Sequence, residues 1–146
     1  MEQTPHSTHL EPFHALVGEW STSATHPALG SVKVPGHTTF EWLEGRRFLI
    51  GRSRNDHPDF PDGLTVTGAD GDGLAMHYYD SRGVERVYQA SLNDGVLELW
   101  RDAPGFSQRY TGTFSDDGDT ITGLWQFSSD GSSWEPDLEI TYRRDA

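Results

Sequence analysis

The sequence predicts an all-β protein, an antiparallel up-and-down β-barrel of about ten strands with one short N-terminal helix or turn. Two observations carry this prediction. Short runs rich in Val, Ile, Thr and aromatic residues follow one another from residue 18 onward, separated by clusters of Gly, Asp, Asn and Ser. Helical spacing of apolar residues is confined to the N-terminal region, so the chain lacks the helices that parallel strands need for their connections.

The predicted elements follow in order along the chain. Segment 10–17 has apolar residues at helical spacing and Pro12 in its first turn, which predicts a short helix or turn that ends at Gly18. Segment 55–63 contains two prolines and three aspartates and predicts a loop over one end of the fold. The predicted strands are 18–26, 32–43, 46–54, 64–69, 74–80, 84–91, 95–101, 105–115, 119–128 and 134–144.

The length of 146 residues suits one domain, which we place over residues 1–146 with residues 1–9 flexible. Five Trp, five Tyr and seven Phe are spread along the chain and can fill a core. A set of antiparallel strands without crossover helices can form a sandwich or a barrel, and a barrel is favoured because closure removes the exposed edges.

Composition excludes several classes of function. With 11 Lys and Arg against 23 Asp and Glu, the net charge is −12, which disfavours nucleic acid and anionic membrane surfaces as partners. The absence of Cys excludes disulfides, thiol catalysis and Cys-bound zinc. Because the N-terminal segment has no apolar run of the secretory kind, we expect a cytoplasmic protein.

Barrel strands alternate between the interior and the outside, so the heavier apolar face of each strand predicts its inward residues. These are Trp20, Thr22, Ala24 and His26; Thr38, Phe40 and Trp42; Phe48, Ile50 and Arg52; Leu74, Met76 and Tyr78; Val84, Arg86 and Tyr88; Leu97, Leu99 and Arg101; Phe106, Gln108, Tyr110 and Phe114; Ile121, Gly123, Trp125 and Phe127; and Leu138, Ile140 and Tyr142.

Three arginines of this set, Arg52, Arg86 and Arg101, are unexpected in the interior of an acidic protein. An isolated charge in a dry core costs several kcal/mol, so each guanidinium needs a carboxylate, water or an anionic ligand. The first alternative is structural: the arginines lie at the rims, pair with acids such as Glu85 or Glu98, or face outward after a bulge. The second alternative is that they bind a carboxylate, phosphate or enolate in a partly wet cavity. Arg86 and Tyr88 fit the second alternative best because they share a face.

Gly18-Glu19-Trp20 at the start of the first strand and Arg143-Arg144 at the end of the last resemble the Gly-x-Trp and terminal basic residue of the lipocalin and fatty-acid-binding-protein (calycin) superfamily. The resemblance implies that Trp20 plugs one barrel end beneath a late cation. Phe40–Gly45, His77–Val84 and Ala103–Phe114 are similar to segments of uncharacterised bacterial lipocalin-like proteins. Arg86-Val87-Tyr88 resembles the Arg-x-Tyr pair that holds the ligand carboxylate in fatty-acid-binding proteins.

Nitrobindin-like haem proteins resemble this chain in their Gly-x-Trp start, with a face of glycines where this sequence has Thr22, Ala24 and His26. Segment 137–142 lacks the histidine that ligates the haem in that family. We therefore predict no cofactor, and a haem- or gas-binding barrel is kept as an alternative.

Other chemistry is less well supported by the residue spacings. The seven His include no HxH or HExxH pair, and the Asp-Gly-Asp-Gly sequence at 70–73 lacks the distal Glu of a calcium loop, so no metal is predicted. No Gly-x-Ser-x-Gly elbow is present. An isomerase or cyclase that uses His26 or a cavity tyrosine in acid–base chemistry is the enzymatic alternative, but we favour a non-enzymatic protein.

The leading hypothesis from the sequence is therefore a barrel that binds a small amphiphilic or anionic molecule. Its partner is that ligand, and outward apolar residues leave a homodimer open. The predicted ligand-binding residues are Trp20, His26, Phe40, Trp42, Arg52, Arg86, Tyr88, Arg101, Tyr110 and Trp125.

Overall fold

The strands follow the turn signals of the sequence closely in the computed structural model, which describes residues 9–145. Residues 1–8, most of the segment predicted to be flexible, lie outside the described part of the chain. The strands are β1 (Gly18–Thr25), β2 (Val34–Trp42), β3 (Phe48–Asn55), β4 (Gly63–Asp70), β5 (Gly73–Asp80), β6 (Glu85–Asn93), β7 (Val96–Arg101), β8 (Ser107–Phe114), β9 (Thr120–Ser128) and β10 (Glu135–Arg144).

All ten strands are antiparallel and form one closed barrel in chain order, with β10 paired to β1. The predicted barrel is therefore confirmed over the alternative of a sandwich. The turn between β6 and β7 shows why the strands end where they do. Asp94 and Gly95 both have positive φ, of 53° and 74°, and this conformation favours a two-residue hairpin turn.

The barrel has two different ends. At the closed end, β1 begins, β10 ends, and a 3-10 helix (Glu11–Leu16) lies where the sequence predicts a short helix or turn. At the open end lie the connections 26–33, 56–62, 81–84, 102–106 and 129–134, and the first of these contains a second 3-10 helix (Pro27–Leu29). Connection 56–62 is the predicted loop over one end of the fold.

The closed end is filled by Trp20, which has no exposed surface. Its indole nitrogen donates to the Leu16 carbonyl at 2.8 Å, and Phe13 and Leu16 of the 3-10 helix are buried beside it. Arg144 lies over the indole with its Cζ 4.2 Å from the ring centroid. The guanidinium also donates to the Val17 and Ala15 carbonyls, each at 2.7 Å, so the last strand holds the helix in place.

Burial follows the predicted alternation on β1, β2 and β5–β10 except at Phe106, which is exposed, and at the end of β9, where Ser128 is buried and Phe127 is not. It departs from the predicted alternation on β3. Leu49 and Gly51 are buried, so they face inward, whereas Phe48 and Arg52 are exposed on the outer face. The predicted inward orientation of Phe48, Ile50 and Arg52 is therefore wrong. The reason is that the inward face of β3 carries small and polar residues, so its apolar weight is lower than that of its outer face.

Candidate functional site

The barrel encloses a cavity of about 520 Å³, within the range of cavities that hold small molecules. Phe13 and Leu16 of the N-terminal helix line its inner limit. Its mouth is at the open end, where Asp59, Phe60 and Arg82 contribute from two connections. The cavity therefore extends along the barrel from the plug to the open end.

Strands β2, β3 and β4 contribute small and hydroxyl-bearing side chains to the cavity, and we call this side the hydroxyl wall. It comprises Thr38, Ser53, Asn55, Gly63, Thr65 and Thr67. The Thr38 and Ser53 hydroxyls are hydrogen-bonded to each other at 2.9 Å. Phe40 and Leu49 supply apolar surface on the same strands.

Strands β5, β6, β8, β9 and β10 contribute large rings, and we call this side the aromatic wall: Tyr78, Tyr88, Tyr110, Trp125 and Tyr142. The Trp125 ring centroid lies 5.4 Å from that of Tyr88 and 5.1 Å from that of Tyr110. Burial is the largest cause raising the pKa of all four tyrosines, that of Tyr142 to about 12. The wall is therefore uncharged at neutral pH.

Tyr110 is held in the wall by two glycines. Its ring lies on Gly112 and Gly123, and a Cβ at Gly123 would collide with the phenol group. The hydroxyl is buried and has no hydrogen-bond partner within residues 9–145. Tyr110 therefore contributes its ring to the cavity, while its hydroxyl is buried in the wall.

Toward the mouth, polar groups project from the aromatic wall. The Tyr88 hydroxyl donates to Oε1 of Gln108 at 3.0 Å, which leaves the amide nitrogen of Gln108 for other partners. Arg86 lies two residues before Tyr88 and places its Cζ 5.4 Å from the ring centroid of Phe106. Among the described residues Arg86 forms no ion pair, although the Asp59 and Asp137 carboxylates line the same cavity.

The second arginine at the mouth, Arg82, is neutralised within the chain. Its Nη2 and Nε donate to the Asp80 carboxylate at 2.6 and 3.2 Å. The Tyr78 hydroxyl donates to the same carboxylate at 2.7 Å. The Arg82 guanidinium is the largest cause lowering the pKa of Asp80, so this carboxylate is charged at neutral pH.

His26 stands at the mouth with both ring nitrogens engaged. Nε2 is 2.8 Å from an Asp137 carboxylate oxygen, and Nδ1 accepts from the Ala28 backbone N–H at 3.0 Å. Because Nδ1 accepts that bond, Nε2 carries the proton and donates to Asp137. Among the described residues, His26 is the histidine that lines the cavity, and an iron atom could bind it only by displacing one of its two hydrogen-bond partners.

Two solved structures share this architecture across nearly the whole chain. Rv2717c from M. tuberculosis is similar at 15% identity, with a TM-score of 0.68 and coverage of 97% of this chain and 100% of that one. The S-type phycobiliprotein lyase CPES from Guillardia theta is similar at 13% identity, with a TM-score of 0.56 and coverage of 93% and 92%. No family model and no curated protein matches the sequence.

The fold is lipocalin-like. Within residues 9–145 of the lipocalin-like barrel, no helix has the length and apolar character to cross a membrane. The same residues contain no cluster of three His, Asp or Glu side chains suited to hold a metal ion.

The lipocalin-like barrel brings six of the predicted ligand-binding residues to the cavity lining: His26, Phe40, Arg86, Tyr88, Tyr110 and Trp125. Arg52 is on the outer face, and Trp20 lies beneath the cavity as the plug. The Trp42 indole nitrogen donates to Nδ1 of His14 at 3.0 Å, at the closed end. Arg101 is on the predicted face but donates to the Phe106 carbonyl at 2.9 Å, outside the lining.

The hydroxyl wall is the part of the cavity that sequence reasoning missed. No inward residues are predicted for the strand 64–69, whose heavier apolar face carries Leu64 and Val66, whereas Thr65 and Thr67 line the cavity. A signal was nevertheless present, because the alternation of Thr65-Val66-Thr67 places two hydroxyls on one face of a strand.

Proposed function

We propose that the barrel binds a small amphiphilic anion, with the apolar body of the ligand in the cavity and its anionic group at Arg86. The observation that carries the proposal is a guanidinium at the mouth of a 520 Å³ cavity without an ion-pair partner in the described chain. In a protein of net charge −12, Arg86 places at the mouth a positive charge with which an anionic group can pair.

The neighbours of Arg86 support this assignment. Tyr88 and Gln108 are hydrogen-bonded to each other beside it and offer polar atoms to the same group of the ligand. Deeper in the cavity, Trp125 and Tyr110 offer ring surface, and burial of a ligand there gains about 25 cal/mol for each Å² of apolar area removed from water. A ligand with one apolar and one anionic end would satisfy both regions.

The proposal also covers the family relationship of the protein and its location in the cell. We propose that the chain is related to the bacterial lipocalin-like proteins that its Phe40–Gly45, His77–Val84 and Ala103–Phe114 segments resemble, and that it acts in the cytoplasm. Arg86 and Tyr88 would then serve the ligand as the Arg-x-Tyr pair serves a carboxylate in fatty-acid-binding proteins.

The test compares two fluorescent probes that differ in one anionic group. 1-Anilinonaphthalene-8-sulfonate carries a sulfonate, and N-phenyl-1-naphthylamine has the same ring system without it. Arg86→Met should weaken binding of the sulfonate about tenfold or more, because charged hydrogen bonds contribute about 1.5–3 kcal/mol. Binding of the uncharged probe should stay within about twofold, since its rings do not depend on the guanidinium.

Arg52→Met is the matched control, because Arg52 is an arginine on the outer face of the same barrel. This variant should bind both probes like the parent protein. Equal loss of sulfonate binding in the two variants, or no loss in Arg86→Met, would show that the cavity mouth is not the anion site.

A further inference from the structure

The two walls of the cavity face each other. In a closed barrel of ten strands in chain order, β3 and β8 are five positions apart, and so are β4 and β9. Thr65 and Thr67 on β4 therefore lie across the cavity from Trp125 on β9. A ligand that fills the cavity contacts rings on one side and hydroxyls on the other.

The hydroxyl wall is unfavourable for an alkyl chain. Within residues 9–145, the Thr65 and Thr67 hydroxyls have no hydrogen-bond partner. A hydrocarbon packed against them would exclude water without replacing its hydrogen bonds, and each buried hydroxyl left unpaired costs about 1–3 kcal/mol. A ligand with oxygen atoms along that side would instead accept hydrogen bonds from both threonines.

The aromatic wall favours an aromatic ligand. Trp125 stands between Tyr88 and Tyr110 with centroid distances of 5.4 and 5.1 Å and interplanar angles of 63° and 44°, so the three rings offer edges as well as faces to a ligand ring. Aromatic pairs gain about 0.5–1.5 kcal/mol beyond the area that they bury, which an alkyl chain does not obtain. None of these rings is charged at neutral pH, so the surface does not repel an anionic ligand.

We infer that the ligand is a planar polycyclic aromatic anion with carbonyl or hydroxyl oxygens on its ring edge. The rings lie against Trp125 and its neighbours, the edge oxygens accept from Thr65 and Thr67, and the anionic substituent reaches Arg86. This inference rests on the proposed function for the anionic group of the ligand. It adds the chemical class of the rest of the ligand. A fused three-ring molecule fits within the volume of the cavity.

The experiment uses three acids that share a carboxylate. Anthraquinone-2-carboxylate has two ring carbonyls, anthracene-2-carboxylate has the same fused rings without them, and dodecanoate is an alkyl chain. Isothermal titration of the full chain should show that the quinone binds about tenfold more tightly than the anthracene acid, as two added hydrogen bonds predict. Dodecanoate should bind more weakly than the quinone.

The double variant Thr65→Val/Thr67→Val should remove the preference for the quinone and leave binding of the anthracene acid within about twofold. Thr111→Val/Thr113→Val is the matched control, since this Thr-x-Thr pair is exposed on the outer face of β8. The control should keep the preference. Valine suits a strand, so both variants should fold.

Three other outcomes would overturn the inference. Equal affinity for the two aromatic acids would show that the hydroxyl wall does not contribute to ligand selectivity. A preference for the quinone that persists in Thr65→Val/Thr67→Val would show the same. Tighter binding of dodecanoate would assign the cavity to alkyl chains. In each of these three cases the anion site at Arg86 would stand, whereas failure of all three acids to bind would overturn the proposed function as well.

Discussion

An arginine lies over a tryptophan near each end of the barrel, and the two pairs have almost the same geometry. The guanidinium carbon is 4.2 Å from the indole centroid for Arg144 and Trp20 at the closed end. It is 4.1 Å for Arg109 and Trp134 near the open end. Trp20 has no exposed surface, whereas Trp134 is only half-buried in the connection before β10.

The difference lies in what surrounds each pair. Arg144 also donates to three backbone carbonyls and to Asp119 at 3.1 Å, so it joins the helix, β10 and the turn before β9. Within the described part of the chain, Arg109 has one further side-chain partner, Gln126, at 2.8 Å. The residues of the closed end therefore stabilise the fold, whereas groups at the open end such as Arg86 can contact a ligand.

The largest expected effect comes from removal of the plug. Trp20→Ala should lower the free energy of unfolding by about 4 kcal/mol, because it empties a fully buried site and breaks the bond to the Leu16 carbonyl. Trp134→Ala should cost less than about 1 kcal/mol, since a half-exposed indole loses little packing. Urea unfolding followed by circular dichroism measures both, and similar losses would contradict the division between the ends.

An intermediate effect is expected at the mouth. Asp80→Asn should lower the free energy of unfolding at pH 7 by about 2 kcal/mol, because a covered carboxylate bonded to Arg82 and Tyr78 loses its charge. The pKa of Asp80 is lowered in the folded state, so its stabilisation is complete above the ordinary pKa of an aspartate and is lost as the pH falls further.

The difference between Asp80→Asn and the parent protein should therefore shrink below about pH 4, where the parent loses the same stabilisation. Urea unfolding at pH 7 and at pH 3 measures this change. Asp116→Asn, in an exposed hairpin turn, is the control and should cost little at either pH. A difference independent of pH would refute a role for the Asp80 charge.

The smallest effect should have the opposite sign. Tyr110→Phe removes a buried hydroxyl that has no partner in the described chain, so it should leave stability unchanged or raise it by up to about 1 kcal/mol. Tyr88→Phe should instead lose about 1 kcal/mol, because that hydroxyl donates to Gln108. Thermal unfolding of the two variants measures the contrast, and destabilisation of Tyr110→Phe would imply a bound water at its hydroxyl.

Much of the fold could be predicted because the turn chemistry is local. Positive φ at Gly71, Gly83, Gly105, Gly118 and Gly131 places glycines where the sequence predicts hairpin ends. Alternation on β9 and β10 was equally informative, since most of the heavy apolar residues of each strand lie on one face, with Leu124 as the exception on β9. Closure followed from the absence of helices to cover the sheet edges.

The candidate site was harder to predict because the interior of this barrel is hollow and partly polar. A rule that assigns the heavier apolar face to the interior fails where the interior holds Gly51 and Ser53, as on β3. The alternation of apolar and polar residues also does not predict where a long side chain points at the end of a strand. Arg101 has the predicted face, yet its guanidinium turns to a carbonyl of the neighbouring connection.

The seam between β1 and β10 has a consequence for how the chain acquires its structure. Every other ladder in the barrel joins consecutive strands, which hairpins can form early at little entropic cost. The seam pairs Trp20 with Arg144, so on a ribosome it waits for the final strand to emerge. Until then β1 and β9 carry unpaired edges, and we expect the high negative charge to keep nascent chains from joining each other there.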